Sequence, residues 1–368
     1  MYSFEPNEEQ QMLVDAVGKY AVNDLRPAAH EAEESRELPK KLISKGWEIG
    51  LLQASIPEAY GGFGERSAVT GALAVEEMAF GDLAGALAVM TPSLFATPIL
   101  LAGSEEQKKE YLPKVIEGDW RPYTAALIEY AFDFDANDLR TTAKADGGDY
   151  VLSGEKAFVP FAKDAEAMLV YANLDGQTQG FIVPSGTKNS AGLTIADERE
   201  MLMSLNALPL YRVKLDSVKV SASNRLGGAS GHDLELVLAS MRIASASAAL
   251  GVAKASLEYS MNYAKEREAF GVKIAQKQAI AFMLAEMATE IEASRLLTWE
   301  AAWKLDAGKE DAANSAYLAL TGAADMVMMV TDRGVQILGG HGYIREHPVE
   351  MWMRNGRGFA MLTGLAIV

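Results

Sequence analysis

Apolar residues recur at helical spacing through the first 120 residues of the chain. Asn7 with Gln10 three residues later has the pattern of a helix-capping box. Met12, Leu13 and Val17 follow at the spacing of one helical face. Further helices are predicted over residues 39–49, 68–80 and 104–112, and we expect Pro113 to end the last one. These patterns predict a helical domain over residues 1–121.

The pattern changes after this domain to short apolar runs separated by Gly, Asp and Asn. Strands are predicted over residues 150–154, 167–172, 180–184 and 210–220. Runs of this length joined by turn residues are typical of a β barrel or sandwich. The sequence therefore predicts a middle β domain over residues 122–230.

Long apolar patterns with a period of 3.6 residues return after the β domain. They predict helices over residues 232–266, 276–306 and 310–337 and a last one from Pro348. Four helices with short connections favour a bundle over residues 231–368. The predicted fold class is α+β and mostly α, with an N-terminal helical domain, a middle β barrel or sandwich and a C-terminal four-helix bundle.

The charge balance is acidic, because 34 Lys and Arg residues stand against 50 Asp and Glu residues, a net charge of −16. We therefore expect no nucleic-acid partner, since such a partner needs a basic face. Cysteine is absent, which excludes disulfides, thiolate zinc sites and thiol nucleophiles. The four histidines lack metal-ligand spacing, so no metal site is expected.

One uncharged stretch, residues 83–104, is long enough to span a bilayer. Pro92 and Pro98 interrupt it, so we predict two short buried helices and no membrane span. The acidic and polar start of the chain lacks the basic and apolar segments of a signal peptide. We expect a cytoplasmic location.

Two glycine-containing stretches are candidates for ligand binding. Arg267 and Gly271 flank a predicted helix end, and from the residues alone a capped helix terminus is the favoured interpretation. Residues 336–343 read Gln-Ile-Leu-Gly-Gly-His-Gly-Tyr, with three glycines in four positions. This pattern suits a tight turn between helices and, equally, a backbone cradle for phosphate or a flat ring.

The order and spacing of several motifs resemble the acyl-CoA dehydrogenase family of flavoproteins over nearly the whole chain. The motifs are Ile56-Pro-Glu-Ala-Tyr-Gly-Gly, Ser153-Gly-Glu-Lys156, Arg267-Glu-Ala-Phe270-Gly271, the stretch from Gln278 to Met287, and Gln336-Ile-Leu-Gly339-Gly340-His-Gly-Tyr. The resemblance implies α,β-dehydrogenation of an acyl-CoA thioester, with FAD as hydride acceptor and a Glu carboxylate as base. It also implies electron-transfer flavoprotein, or an equivalent acceptor, as a partner.

In this family the adenosine-diphosphate end of FAD is held by bundle residues of a neighbouring subunit. The residues that match this set are Arg267, Phe270, Gln278, Gln336, Gly339 and Gly340. The resemblance implies that Arg267 pairs with the diphosphate charge and that Phe270 packs near the adenosine. Gln336 and the two glycines would bring amide and backbone groups to the diphosphate.

The flavin-ring side of the family pattern is not matched. The family's Thr-Glu-Pro-x-Ala-Gly-Ser-Asp run reads Ile128-Glu129-Tyr130-Ala131-Phe132-Asp133-Phe134-Asp135 here, which keeps Glu129 and Asp135 but places Ile128 and Phe134 at the hydroxyl positions. The family's Trp-Ile-Thr reads Phe158-Val159-Pro160. Proline has no N–H and no hydroxyl, so several donors expected around the ring are missing.

The family's catalytic carboxylate is missing as well. The usual Glu position falls on Thr363, followed by Gly364, and the alternative position, immediately before Arg242, falls on Met241. Neither Thr nor Met can accept a proton from carbon near pH 7. We therefore assign no catalytic residue to this chain.

Three functions fit these residues. The favoured one is a subunit of an α2β2 acyl-CoA dehydrogenase, as in members that resemble steroid side-chain enzymes. This subunit would lend contacts for the ADP end of FAD to a second acyl-CoA dehydrogenase-like subunit. The alternatives are a self-sufficient homotetrameric enzyme with a displaced base, for which Glu129 is a candidate, and a non-catalytic scaffold or binding protein.

Overall fold

Helices form both ends of the chain and one large sheet forms its middle in the computed structural model, which describes residues 6–183, 191–359 and 363–368. This arrangement confirms the predicted fold class. The predicted domain boundaries fall in connecting segments, because the first strand begins at Tyr123 and the first bundle helix at Leu234. The boundaries themselves stay predictions.

Eight α-helices precede the sheet in the described part of the chain. They are α1 Glu8–Tyr20, α2 Arg26–Ser35, α3 Lys40–Trp47, α4 Leu51–Ser55, α5 Ala68–Gly81, α6 Leu83–Met90, α7 Ser93–Ala102 and α8 Glu105–Ile116. Both capping boxes are formed. The side chains of Asn7 and Ser104 accept hydrogen bonds from the backbone N–H groups of Gln10 and Gln107, and the side chains of these glutamines accept hydrogen bonds from the N–H groups of the two cap residues. The uncharged stretch forms α6 and α7, whose axes differ by 51°, as predicted.

The prediction that Pro113 ends α8 is wrong. The helix continues to Ile116, with Pro113 inside it. Leu112 and Val115 are fully buried in the core below the sheet. Burial of each such side chain contributes about 1.5–3 kcal/mol, which offsets the lost proline hydrogen bond.

The middle of the chain is a curled seven-stranded sheet. Its strands are β1 Tyr123–Ala126, β2 Thr142–Asp146, β3 Asp149–Pro160, β4 Ala167–Leu174, β5 Gln177–Val183, β6 Leu193–Ile195 and β7 Leu210–Val220. They lie in the order β1-β4-β2-β3-β7-β6, and β5 pairs with β4. The predicted strand over 210–220 is confirmed at both ends, whereas β3 is longer than predicted. Pro184, the end of one predicted strand, lies outside the described residues.

Antiparallel helices form the C-terminal part. They are α9 Leu234–Glu266, α10 Gln278–Asp306, α11 Ala312–Leu338 and α12 Val349–Arg357, and a small hairpin of β8 Glu268–Ala269 and β9 Val272–Lys273 joins the first two. Helix α9 is the core helix, and its Gly251 lies so close to α5 that an added Cβ would be 2.2 Å from the Glu76 carbonyl oxygen. A buried Arg295–Glu76 ion pair of 2.8 Å also joins α10 to α5.

One described helix, α9, is long and apolar enough to cross a membrane, and 89% of its most apolar stretch is buried inside the fold. The bent pair α6 and α7 passes the same test only when taken together. Both features are those of core helices packed on other helices of the same chain.

Candidate functional site

The chain direction of the bundle helices brings the predicted nucleotide-binding residues together. Helix α9 ends at Glu266, α10 begins at Gln278 after a short hairpin, and α11 ends at Leu338. Because the three helices are antiparallel, these three termini lie at one end of the bundle. We call it the nucleotide end. Every predicted cofactor-binding residue lies there: Arg267, Phe270, Gln278, Gln336, Gly339 and Gly340.

All six residues are exposed. Phe270 is 94% exposed at the tip of the β8–β9 hairpin, with a positive φ of 56°. Arg267 makes no ion pair with any residue in the described ranges. Lys277 Nζ lies 5.8 Å from the centroid of the Phe270 ring. An exposed ring and cations on one hairpin are suited to a ligand that has both a flat base and negative charge.

The turn Gly339–Tyr343, called the glycine turn below, exposes its backbone. Gly339 has φ 59° and ψ −129°, a conformation that needs glycine. A Cβ built on Gly339 or Gly340 would meet no atom within 4 Å. The space above both residues is therefore open. The segment forms a turn after the long helix, and its role as a ligand cradle stays a prediction.

The β-domain face where the family holds the flavin ring is different in character. Ile128 is buried, and its carbonyl accepts the Ala157 N–H at 2.9 Å. Phe158 lies at an irregularity of β3 with a φ of 53°. Pro160 pairs with Leu210 of β7. The side chains at Ile128, Phe158 and Pro160 offer no hydrogen-bond donor.

A polar network, for which the sequence has no local signal, lies at this face. The Glu200 carboxylate accepts the Phe158 N–H at 2.5 Å and also the Tyr130 hydroxyl. The Arg212 guanidinium lies 4.3 Å from the centroid of the Tyr130 ring. Burial raises the pKa of Glu200, while the Phe158 N–H and Arg212 oppose that shift. The Phe158 N–H is thereby already occupied within the chain.

Glu129, the candidate for a displaced base, is fully engaged in the interior. Its Oε1 accepts from Lys156 Nζ at 2.7 Å and from the Thr141 N–H at 2.9 Å. Its Oε2 accepts the Arg140 N–H at 2.7 Å. Burial alone would raise its pKa, but Lys156 and these hydrogen bonds outweigh it and hold the pKa of Glu129 below its usual value. These contacts favour a structural role for Glu129 over the role of a displaced base.

The two positions of the family's base carry no acid. Thr363 begins a turn, and the next residue, Gly364, packs on Leu127 and Ile128. A Cβ built on Gly364 would lie 3.2 Å from the Leu127 side chain and 3.4 Å from that of Ile128. The turn therefore lies against the ring face. Met241 is fully buried in the same core as Leu112 and Val115, and the following Arg242 pairs with Glu235 at 2.8 Å.

The residues present thus fit one end of FAD and not the other. At the nucleotide end, an exposed cation, an exposed ring and open glycine backbone suit an adenosine diphosphate. At the ring face, apolar side chains and an internally bonded carboxylate replace the family's donors.

Models of the three acyl-CoA dehydrogenase domains match this chain: the N-terminal domain over residues 7–119, the middle domain over 126–218 and the C-terminal domain over 234–366. The chain belongs to the acyl-CoA dehydrogenase family, whose members are FAD-dependent flavoproteins.

Individual relatives agree with this assignment. The short-chain specific acyl-CoA dehydrogenase of Sus scrofa mitochondria is 34% identical over 96% of this chain and 86% of its own. The butyryl-CoA dehydrogenase structure from Megasphaera elsdenii superimposes with a TM-score of 0.88 at 32% identity, covering 99% and 96% of the two chains. A chain in a structure of the electron transferring flavoprotein of Acidaminococcus fermentans gives 0.89 at 34% identity, with the same coverage.

Proposed function

We propose that this chain is a subunit of an FAD-dependent acyl-CoA dehydrogenase that supplies the ADP-side contacts of a shared cofactor and lacks its own base. The main support is the turn at Thr363–Gly364. It packs on Leu127 and Ile128 at the ring face but has a hydroxyl where the family has a carboxylate. Glu129 cannot replace it, because its ion pair and hydrogen bonds occupy both of its oxygens.

The nucleotide end supports the other half of the proposal. Arg267 would neutralise diphosphate charge, Phe270 would cover the adenosine, and the glycine turn would present backbone N–H groups. Gln278 and Gln336 would add amide contacts. When bound, FAD supplies the hydride acceptor that this family's dehydrogenation requires.

The proposed partners follow from this division of the site. A second acyl-CoA dehydrogenase-like subunit would contribute the base and the ring pocket for an acyl-CoA substrate. Electron-transfer flavoprotein, or an equivalent acceptor, would remove the electrons; the similarity to a chain in an electron transferring flavoprotein structure supports this part. We propose a cytoplasmic location for the assembly and a role in fatty-acid or steroid side-chain degradation.

The proposal predicts that a second acyl-CoA dehydrogenase-like chain is encoded beside this one. The test is the flavin-to-protein ratio of this chain purified alone and co-purified with that partner. We expect little FAD in the first sample and a restored ratio in the second. Arg267→Ala in this chain should lower the flavin content of the complex, whereas Lys265→Ala, an exposed cation on the same helix end, should not.

Two outcomes would contradict the proposal as a whole, and a third would contradict one of its contacts. A yellow homomer whose flavin bleaches on addition of acyl-CoA would show a self-sufficient enzyme. Absence of flavin under every co-expression condition would favour a scaffold or binding protein. An unchanged flavin content in the Arg267→Ala complex would remove the proposed diphosphate contact.

A further inference from the structure

Four half-buried rings, one of them His341 of the glycine turn itself, lie together at the nucleotide end. The Tyr263 hydroxyl is 2.8 Å from His341 Nδ1, and the Tyr259 hydroxyl is 2.7 Å from His347 Nδ1. The two imidazoles stack with their centroids 5.5 Å apart and an interplanar angle of 15°. Tyr263 also packs edge-on against His347 at 5.8 Å.

Tyr263 is in contact with both halves of the nucleotide end. Its carbonyl accepts the Arg267 N–H at 2.8 Å, which fixes the start of the segment that carries the cation and the β8–β9 hairpin. Its hydroxyl bonds His341 inside the glycine turn. Arg267 and Gly339 are 72 residues apart in the sequence, so no local contact sets their relative position.

The glycine turn needs such a support from outside. Gly339 and Gly340 have no atom within 4 Å of where a Cβ would lie, so packing does not hold them on the open side. Gly342 is the packed residue of the turn, with an added Cβ 2.4 Å from the Val335 carbonyl oxygen. The adjacent His341 is therefore the side chain through which α9 can fix the turn.

We propose that Tyr263 is a positioning residue for dinucleotide binding, which holds the glycine turn and the Arg267 segment in register through His341. This inference rests on the proposed function. It predicts that loss of the Tyr263 hydroxyl weakens contacts to the diphosphate and leaves contacts to the adenosine unchanged. A merely structural role would weaken both equally.

The chain offers a matched pair of variants. Tyr263→Phe and Tyr259→Phe each remove one tyrosine–imidazole hydrogen bond and keep the ring, but the Tyr259 bond reaches His347, outside the glycine turn. Titration calorimetry of the co-purified complex, stripped of its FAD, with ADP and with adenosine as probes then separates diphosphate binding from base binding. His341→Phe removes the Tyr263 bond from the other side.

For Tyr263→Phe we expect ADP affinity to fall about five-fold, the factor that corresponds to one hydrogen bond, with adenosine affinity unchanged. Tyr259→Phe should leave both affinities at the wild-type value. The Tyr263→Phe/His341→Phe double variant should lose no more than the larger single loss, because both changes remove the same bond.

Three results would overturn the inference. Equal losses in Tyr263→Phe and Tyr259→Phe would show a general packing effect. Unchanged ADP affinity in Tyr263→Phe, with the expected loss in Arg267→Ala, would remove the positioning role and leave the proposed function standing. No ADP binding by the wild type or any variant would refute the proposed function, and the positioning role with it.

Discussion

Replacement of Lys156 by Met is the sharpest test of the assignment of Glu129 as a structural carboxylate. Lys156 is fully buried, and Glu129 is 5% exposed at its side chain. The lysine Nζ also donates to the Leu127 carbonyl at 3.1 Å. Lys156→Met keeps an unbranched side chain one atom shorter but leaves the Glu129 charge in the interior with two backbone N–H groups as its remaining donors.

The expected loss follows from this isolation. Removal of one partner of a buried ion pair costs about 3–5 kcal/mol, because the remaining charge is desolvated without compensation. The free energy of unfolding from urea titration, followed by tryptophan fluorescence, measures the loss. Lys114→Met is the control: Lys114 pairs with Glu110 at 3.3 Å, both side chains are more than half exposed, and the expected loss is about 0–1 kcal/mol.

A second variant tests whether Glu129 is the structural partner of Lys156 or acts independently of it, as a displaced base would. If Glu129 and Lys156 act as a structural pair, Glu129→Gln combined with Lys156→Met should recover part of the stability lost in Lys156→Met. A loss below about 1 kcal/mol in Lys156→Met would refute the reasoning, because such a small cost cannot come from a buried unpaired charge.

Three further predictions concern the turn, the core and pH. Thr363→Ala should leave turnover of the assembled complex nearly unchanged, and a fall of about a hundredfold or more would identify a catalytic role. Gly251→Ala should destabilise the fold by about 1–3 kcal/mol in urea titration, since the methyl would clash with α5 backbone; an unchanged midpoint would contradict the close approach. Burial lowers the pKa of His232 from 6.5 to about 4, so folding disfavours its charged form. The neutral His232 contributes fully to the free energy of unfolding above pH 6.5, and this contribution is lost as the pH falls toward 4. At pH 5 the free energy of unfolding should be about 2 kcal/mol lower. The His232→Phe variant should not show this loss.

Much of the fold could be predicted from the sequence because its signals are local. Helix α9 was predicted to within two residues from its apolar period, and β7 over its whole length from alternation. The capping boxes at Asn7 and Ser104 need only four consecutive residues each. The prediction that α8 ends at Pro113 was wrong because burial of Leu112 in the core outweighs the local tendency of proline to end a helix.

The ring face could not be predicted in the same way. The Tyr130–Glu200 contact joins residues 70 apart and the Phe158–Glu200 contact residues 42 apart, and neither pair has a local signal. The same holds for Tyr263 and His341, which are 78 residues apart. Both histidines were visible in the sequence, but their stacking depends on how α9 and α11 pack.

The two ends of the site differ in how they depend on the rest of the fold. The nucleotide end is built from the termini of α9, α10 and α11, whose positions are set by the alanine-rich bundle core. The ring face is built from one irregularity in β3 and the segment around Ile128, where side chains can change while the strands stay paired. Loss of hydroxyl donors at the ring face therefore leaves the bundle termini in place. A family member can in this way lose its own chemistry and still offer a neighbour the exposed contacts of Arg267 and the glycine turn, which is why the flavin content of the complex, more than its stability, tests the proposal.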